Sequence, residues 1–320
     1  MQVGGALCDG GLSGRRSVVV GIPVAGIAMA CITMADAELR QDAVLSPLGL
    51  SFCPILTRGR IPPPTHVGQV RTRLLAMIDV DMYMSRSLSE EMAQRGSVER
   101  YEALCAERRA TVLPAFEPTK PGAAGRVMAT NLSCVSKAQL QLMHGRNKAA
   151  IQFKLRVFPR GHTPTDYVRW FASSEPYQVT YKRFYEPWFI TCDEIMPWYD
   201  IDFRGYGMNK IVLIAALNYY NYSFWIHPSA WLVHNPHGDT EVRKLVAREA
   251  SDVNKLNVKL PANALYRKLT ILFGKAKRGM VRGGYDPRVD PRQLSVYDRL
   301  PWLRRPPKLV GSPTPESVFT

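Results

Sequence analysis

The sequence lacks the patterns that mark several common classes of protein. Its six cysteines are dispersed without a C-x-x-C pair, which argues against a metal site built from thiolates. Zinc-finger and RNA-recognition spacings are absent, and so is an arginine-rich helix with interleaved aromatic residues. Nucleic acid is therefore not expected as a partner, although the formal net charge is +15. No internal repeat is visible, and 320 residues with 46% apolar content suffice for one large domain or two small ones.

Uncharged runs long enough to span a membrane are also scarce. One run, residues 17–35, follows Arg15 and Arg16 and has nineteen residues without a charge. Its length is marginal for a membrane span, and three glycine or proline residues interrupt it. We predict a strand over residues 17–22, followed by a turn and a helix in the region of residues 27–44. A short signal anchor is the alternative, whereas a signal peptide is not supported by a clear cleavage site.

The positive charge is concentrated at the carboxyl end of the chain. In residues 275–320, ten lysine or arginine residues stand against four acidic ones, among many prolines and glycines. This composition predicts a poorly ordered basic tail over residues 271–320, and residues 1–16 are expected to be flexible as well. The even number of cysteines and the sequons at Asn131 and Asn221 permit a lumenal location without arguing for it.

Apolar runs and helix-forming stretches alternate through the first half of the chain. Strands are expected at residues 50–56, 74–78 and 111–116, and helices at residues 88–109 and 136–143. This order predicts an α/β protein with a mixed sheet flanked by helices. The aromatic block that follows is expected to hold one helix and two strands, at residues 210–217, 224–226 and 231–234.

Two carboxylates, Asp79 and Asp81, directly follow the apolar run at residues 74–78. They are therefore expected at the carboxyl end of a buried strand, where open α/β sheets bind their ligands. Hard oxygen ligands in this place suit Mg²⁺ or Mn²⁺ that carries substrate phosphates. A solvated strand end is the alternative interpretation, because the D-x-D pattern is common.

His234 follows another apolar run and is expected at a strand end as well. Beside Asp79 and Asp81 it would complete a site of two oxygens and one nitrogen, which suits Mn²⁺. A hydrogen-bonded structural histidine is the alternative. His237 lies three residues further on in an expected loop, where it either binds phosphate or is solvated.

A turn with two glycines, Gly205 and Gly207, precedes a helix-like segment that begins near Asn209 and Lys210. Such a turn brings backbone N–H groups close to an anion or a sugar, although a G-x-G pattern is also typical of a plain turn.

Two carboxylates upstream of this turn are candidates for a general base. Glu186 stands among aromatic residues, where partial burial would raise its pKa. Asp200 lies shortly before the glycine turn. Either is suited to accept a proton from an acceptor hydroxyl, and each has the alternative role of capping a helix or pairing with Arg204.

Taken together, these motifs and their order resemble the family 49 glycosyltransferases, the group of LARGE-type and β-1,4-glucuronyltransferase-like domains. The matching segments are residues 75–81, 112–117, 161–167 with Trp170, 185–188, 198–200, 203–207 with Asn209 and Lys210, and 232–234. Single segments are not specific, but their combination is.

The resemblance implies a GT-A fold over residues 17–270, with a mixed, mostly parallel sheet in a single nucleotide-sugar transferase domain. It implies inverting transfer of a sugar, with glucuronate as the best expectation, from a UDP-sugar to a glycan hydroxyl with Mn²⁺ or Mg²⁺ as cofactor. Asp79 and Asp81 would be the D-x-D ligands of the metal, and His234 the third protein ligand. The implied location is the Golgi, in the lumen or at the membrane through an anchor that is not evident in this chain.

The resemblance also carries expectations about the donor site and the base. The residues expected to contact the donor are Arg73, Asp79, Asp81, Gly205, Gly207, Asn209, Lys210 and His237. Asn209 and Lys210 occupy the place where many inverting relatives carry the base, so Asp200 or Glu186 is expected in that role. Lys210 is expected to hold the diphosphate or a donor carboxylate.

One segment departs from the family pattern. Relatives usually carry a helical stretch with Asn and Arg before the D-x-D strand, but here the prolines at residues 62–64 run almost directly into Arg71. Arg71 or Arg73 is the expected substitute; otherwise the donor site is lost, and the chain is a catalytically inactive glycan-binding domain. A third hypothesis, a protein that binds nucleic acid or membrane surfaces through its basic tail, rests on charge alone.

Overall fold

The uncharged run before Asp79 forms a buried strand, as predicted, and this strand lies inside the larger of two sheets. The computed structural model describes the backbone of residues 27–32 and all of residues 73–145, 148–203, 207–289 and 307–319. The strands expected at residues 17–22 and 50–56, the flexible residues 1–16, Arg71, Arg204 and Gly205 lie outside the described residues.

The described part of the chain alternates strands and helices. The strands are β1 (Ile27–Ile32), β2 (Leu74–Asp79), β3 (Met82–Met84), β4 (Arg109–Leu113), β5 (Ala115–Pro118), β6 (Ala150–Gln152), β7 (Tyr177–Val179), β8 (Trp188–Cys192), β9 (Ser223–Ile226) and β10 (Leu232–His234). The helices are α1 (Arg86–Met92), α2 (Ser97–Ala106), α3 (Gly122–Cys134), α4 (Lys137–Gly145), α5 (Pro159–His162), α6 (Tyr167–Ala172), α7 (Asn209–Tyr219), α8 (Glu241–Leu256) and α9 (Leu265–Val281).

The larger sheet has six described strands in the order β1-β2-β8-β4-β9-β7. The pairs β1–β2 and β4–β9 are parallel, whereas β8 is antiparallel to both of its neighbours and β7 is antiparallel to β9. Four of the six strands therefore run in one direction. With helices packed around it, this sheet confirms the predicted mixed α/β class.

The smaller sheet, in the order β3-β10-β5-β6, positions the candidate site. Strand β10 is antiparallel to β3, with His234 opposite Met82, and parallel to β5. Since β3 begins directly after Asp81, this pairing brings His234 next to Asp81 across 153 residues of sequence (234 − 81). The same sheet brings Glu117 of β5 to the site.

The element predictions were wrong in three places. Residues 27–32 form strand β1 and not the start of a helix, because a short buried strand and a buried helical segment share one apolar pattern. The helix expected at residues 88–109 divides into α1 and α2 around Gly96, whose φ of +83° breaks helical geometry. The run at residues 111–116 divides at Pro114 into β4 and β5, which belong to different sheets.

The expected basic tail is ordered wherever the structure describes it. Helix α9 extends to Val281 and buries Leu269, Phe273 and Met280, which share one helical face. The last described segment, residues 307–319, returns to the core, where Phe319 is fully buried. The high charge and proline content of these residues gave no indication of this packing. The expectation of disorder does not hold for residues 271–289 and 307–319. Among the described helices, none is long and apolar enough to cross a membrane.

A disulfide joins helix α2 to strand β8. It links Cys105 to Cys192, with a sequence separation of 87 residues and a Cα–Cα distance of 5.6 Å. Both cysteines are buried in the apolar cluster under the first half of the larger sheet. The sequence permitted such a bond but did not identify the pair.

Candidate metal and donor site

The two aspartates at the end of β2 take different surroundings. Strand β2 ends at Asp79, and Val80 and Asp81 form a turn before β3 begins. The backbone carbonyl of Asp81 accepts a hydrogen bond of 2.7 Å from the N–H of Asn235, just beyond β10. The turn therefore directs Asp81 toward β10, and Asp79 stays in line with its strand.

Asp81, His234 and His237 form a cluster of candidate metal ligands. Oδ2 of Asp81 lies 3.3 Å from Nε2 of His234 and 2.8 Å from Nε2 of His237. One ligand atom from each of the three side chains lies within 4.8 Å of the others. Burial alone would raise the pKa of Asp81, but hydrogen bonds and charge attraction from both histidines outweigh it and lower the pKa to about 2. The carboxylate is thus charged at any physiological pH.

The cluster fits a divalent cation. Oδ1 of Asp81 is buried and has no hydrogen-bond partner among the described residues, and the same is true of Oδ1 of Asn235. A buried acceptor without a partner costs roughly 1–3 kcal/mol, which a bound cation would recover. One carboxylate with two imidazoles is a ligand set that Mn²⁺ accepts.

Asp79 lies outside this cluster and forms an ion pair with Lys210. Nζ of Lys210 lies 2.7 Å from Oδ2 of Asp79 and 3.7 Å from Oε1 of Glu186. The lysine side chain is only 9% exposed, and its ammonium group lies 4.4 Å from the centre of the Trp188 ring. Burial would lower the pKa of Lys210, but Asp79 and Glu186 outweigh it and raise the pKa.

The carboxyl group of Glu186 is partly buried and lies near the ammonium group of Lys210. Burial raises the pKa of Glu186, against the attraction of Lys210, and the negative charge of Asp79 adds to the rise. Its backbone N–H donates a 3.0 Å hydrogen bond to the carbonyl of Gly161, which fixes the segment against α5. A carboxylate with a raised pKa beside a cation is a candidate general base.

The glycine turn explains how Lys210 reaches the site. Gly207 has a φ of +100°, and Met208 after it has a φ of +61°, so the chain turns sharply before α7 begins at Asn209. A Cβ atom on Gly207 would lie 2.9 Å from Cδ1 of Leu269. The φ of +100° is one that residues with a Cβ atom rarely adopt, and the turn places Lys210 on the first turn of α7 facing Asp79.

Several residues of the site had no predicted role. His162 stacks on Trp188 with a ring separation of 5.7 Å and an interplanar angle of 7°. Burial, reinforced by the charges of Lys210 and Lys154, lowers the pKa of His162 to about 3, so this imidazole is neutral. Glu117 lies 3.9 Å from Nδ1 of His234. It follows an apolar run just as Asp79 does, and that signal was available in the sequence.

Two other predicted residues, Asp200 and Arg73, stand apart from the two clusters. Oδ1 of Asp200 accepts a hydrogen bond from the N–H of Asp202, and Oδ2 accepts one from the hydroxyl of Tyr285. Asp200 has no hydrogen bond or ion pair with Lys210 or Asp81, all three of which lie in the described part of the chain. Arg73 is 74% exposed and pairs with Glu102 at 3.0 Å. Gly205 lies outside the described residues. The structure therefore brings Glu186, and not Asp200, to the candidate site.

Comparisons with known proteins agree with this geometry. A family model described as "Glycosyl-transferase for dystroglycan" matches residues 68–273, which include every member of both clusters. The glycosyltransferase-like protein LARGE of Caenorhabditis elegans is 30% identical over 178 residues, 55% of this chain and 26% of that protein. The xylosyl- and glucuronyltransferase LARGE1 of Danio rerio is 30% identical over 218 residues, 64% of this chain and 27% of that protein. The LARGE2 protein of Mus musculus is 32% identical over 171 residues, 53% of this chain and 23% of that protein. This chain thus spans about a quarter of the length of these relatives.

Proposed function

This chain belongs to the glycosyltransferase family 49, and we propose that it transfers a sugar from a UDP-sugar to a hydroxyl group of a glycan acceptor. The observation that carries the proposal is the adjacency of two clusters at the end of β2. One holds Asp81, His234 and His237 around an unsatisfied carboxylate oxygen, and the other holds Lys210 between Asp79 and Glu186.

We assign the first cluster to Mn²⁺, or Mg²⁺ in its place, with Asp81, His234 and His237 as protein ligands. When bound, such a cation neutralises the diphosphate of the donor while the bond to the sugar breaks. Glu117 beside His234 orients that imidazole, which is the usual task of a carboxylate behind a metal-ligating histidine. In this proposal Asp79 is not a direct ligand, because its carboxylate is paired with Lys210.

Lys210 and Glu186 act on the substrates in this proposal. The buried ammonium group of Lys210 provides positive charge for the diphosphate or for a carboxylate on the donor sugar, and Asp79 holds it in place. Glu186 accepts the proton of the attacking acceptor hydroxyl. Its raised pKa makes it a stronger base than an exposed glutamate, and Lys210 at 3.7 Å stabilises the charged form that is ready to accept a proton.

Glucuronate is the donor sugar that we propose, and xylose is the competing one. The Danio rerio and Mus musculus relatives are named for both transfers, and this chain matches about a quarter of each. The cationic Lys210 favours a donor that carries a carboxylate.

We also propose a domain over residues 17–270 that works in the lumen of the secretory pathway, in the Golgi. The family model matches residues 68–273, three residues past the proposed end at residue 270, and helix α9 continues to Val281. The disulfide between Cys105 and Cys192 supports a lumenal location, because structural disulfides persist in oxidising compartments.

The test is an assay of UDP-glucuronate and UDP-xylose turnover with Mn²⁺, using the purified chain and the Asp81→Asn variant. Loss of the only carboxylate in the described cluster is expected to reduce turnover by at least about a hundredfold. Asp286→Asn is the matched control, since Asp286 is exposed and lies outside both clusters. Full activity in the presence of EDTA would exclude the metal role.

The alternative, a catalytically inactive glycan-binding domain, makes a different prediction. Such a protein would bind neither UDP nor Mn²⁺ in calorimetric titrations, because its donor site would be lost. Binding of UDP that requires Mn²⁺ and disappears in Asp81→Asn would decide against this alternative.

A further inference from the structure

A small cleft with a cationic lining lies on the segments that flank Glu186. Its volume is about 250 Å³, and it is lined by Pro159, Arg160, Thr163, Pro164, Lys182 and Arg183. Three of these six residues are cationic, and none is acidic. Typical small-molecule pockets have roughly 300–1,000 Å³, so this cleft suits one unit of an extended ligand and not a whole nucleotide sugar.

The cations of the cleft are not neutralised within the described part of the chain. Arg160, Lys182 and Arg183 form no ion pair with any described residue. Nε of Arg183 is buried and has no hydrogen-bond partner there. An anion in the cleft would supply the missing acceptor, and hydrogen bonds between an ionised donor and an ionised acceptor are among the strongest in proteins.

Arg183 is held in place by aromatic side chains. Its guanidinium group lies 4.5 Å from the ring centre of Phe184 and 5.9 Å from that of Phe273. The two rings stack on each other at 5.5 Å, and Phe184 has a φ of +71°, which is rare for a bulky residue. Such strain persists only where the surrounding structure enforces it, so the backbone next to Arg183 is held in one conformation, with the guanidinium group over the Phe184 ring.

The walls of the cleft continue into the candidate active site. Arg183 and Glu186 are three residues apart, so their Cα atoms lie within about 11 Å of each other. The other wall, α5, carries His162, which stacks on Trp188 beneath Lys210. The N–H of Glu186 donates to the carbonyl of Gly161 and ties the two walls together.

We propose that this cleft is an acceptor subsite that binds an anionic group, a carboxylate or a sulfate, on the acceptor glycan. The inference rests on the proposed function, because it places the reactive hydroxyl of that glycan at Glu186. Arg183 binds the anion, and the exposed Arg160 and Lys182 provide further positive charge around it. The acceptor class is accordingly an acidic glycan.

The test compares the binding of three oligosaccharides to the full chain. One carries a glucuronate, the second carries glucose at the same position, and the third is the second with a sulfate ester. In the double variant Arg160→Gln/Lys182→Gln, affinity for the charged probes is expected to fall at least about tenfold, while binding of the neutral probe stays within twofold. Lys255→Gln/Lys259→Gln is the matched control, because it removes the same charge from exposed positions outside the cleft.

The outcomes separate the subsite from the proposed function. Equal binding of charged and neutral probes by the unmodified protein, or equal losses in both double variants, would overturn the subsite. A preference for the glucuronate or for the sulfate probe identifies which anion the cleft takes. Binding of UDP in the presence of Mn²⁺ is measured in parallel. Its absence would overturn the proposed function, and the subsite would then stand or fall on the binding data.

Discussion

The disulfide between Cys105 and Cys192 gives a stability prediction with a magnitude that follows from its place in the chain. The bond closes a loop with a sequence separation of 87 residues. In the chain-entropy description, a cross-link over this length removes enough freedom from the unfolded chain to stabilise the native state by about 4.6 kcal/mol at 25 °C. Measured values for native disulfides are typically about 2–4 kcal/mol. We therefore expect the Cys105→Ala/Cys192→Ala variant to lose about 2–4 kcal/mol of unfolding free energy.

The assay is equilibrium unfolding in urea without reductant, with the free energy obtained by linear extrapolation. Alanine is chosen because both cysteines are buried and serine would leave a hydroxyl group in an apolar cluster. The same comparison with reductant is the control, because the unmodified protein then lacks the bond as well. Under reducing conditions the two proteins should differ by no more than about 1 kcal/mol, the packing cost of the two sulfur atoms.

The reasoning would be refuted by equal unfolding midpoints without reductant. It would also be refuted if the difference in stability persisted unchanged with reductant, since packing and not the cross-link would then be its cause. A protein secreted from cells is the appropriate material, because thiols stay reduced in the cytosol.

Two further predictions concern the site. Gly207→Ala should lower the free energy of unfolding by about 1–3 kcal/mol, because φ is +100° and the new Cβ would meet Leu269 at 2.9 Å. Thermal melting measures this loss, and Gly284→Ala, with open space around its Cβ position, should be nearly neutral. Glu186→Gln should reduce transfer by about 10²–10⁴-fold without loss of UDP binding. In the unmodified protein, transfer should rise with pH as Glu186, whose pKa burial raises, gives up its proton; the variant should lose this rise, and the exposed Glu194→Gln should keep it.

The parts of the fold that the sequence predicted are those with one strong signal. Strand β2 carries five uncharged apolar residues before an aspartate, and helix α7 follows a glycine turn. Helix α3 was missed because it begins Gly-Ala-Ala-Gly after a proline, a composition typical of a loop. Yet a Cβ on its Gly125 would lie 2.0 Å from the carbonyl oxygen of Lys120, so glycine is required there by a close backbone approach. The same Cβ would also lie 2.8 Å from Cγ of Pro236, a tertiary contact that the sequence does not display.

The sequence predicted which residues form the candidate site better than it predicted how they are arranged. His234 was expected beside Asp81 because both follow apolar runs, and the pairing of β10 with β3 confirms their contact. His237 was predicted in a loop, where it would either bind phosphate or be solvated. It does lie outside any helix or strand, but its Nε2 is 2.8 Å from Asp81 and it joins the ligand cluster. Its position depends on the path of the chain after β10, which a periodic pattern of apolar residues does not predict.

The division of Asp79 from Asp81 has a physical cause and a chemical consequence. Both carboxylates were expected on one metal because they follow a buried strand, at the edge where open α/β sheets bind their ligands. The strand ends at Asp79, however, and the turn through the exposed Val80 sends Asp81 toward the histidines. A divalent cation bound by one carboxylate and two neutral imidazoles retains a net positive charge, whereas a second carboxylate ligand would cancel it. If the proposed cation binds, the pairing of Asp79 with Lys210 would leave that charge to face a diphosphate, which is what a nucleotide-sugar donor presents.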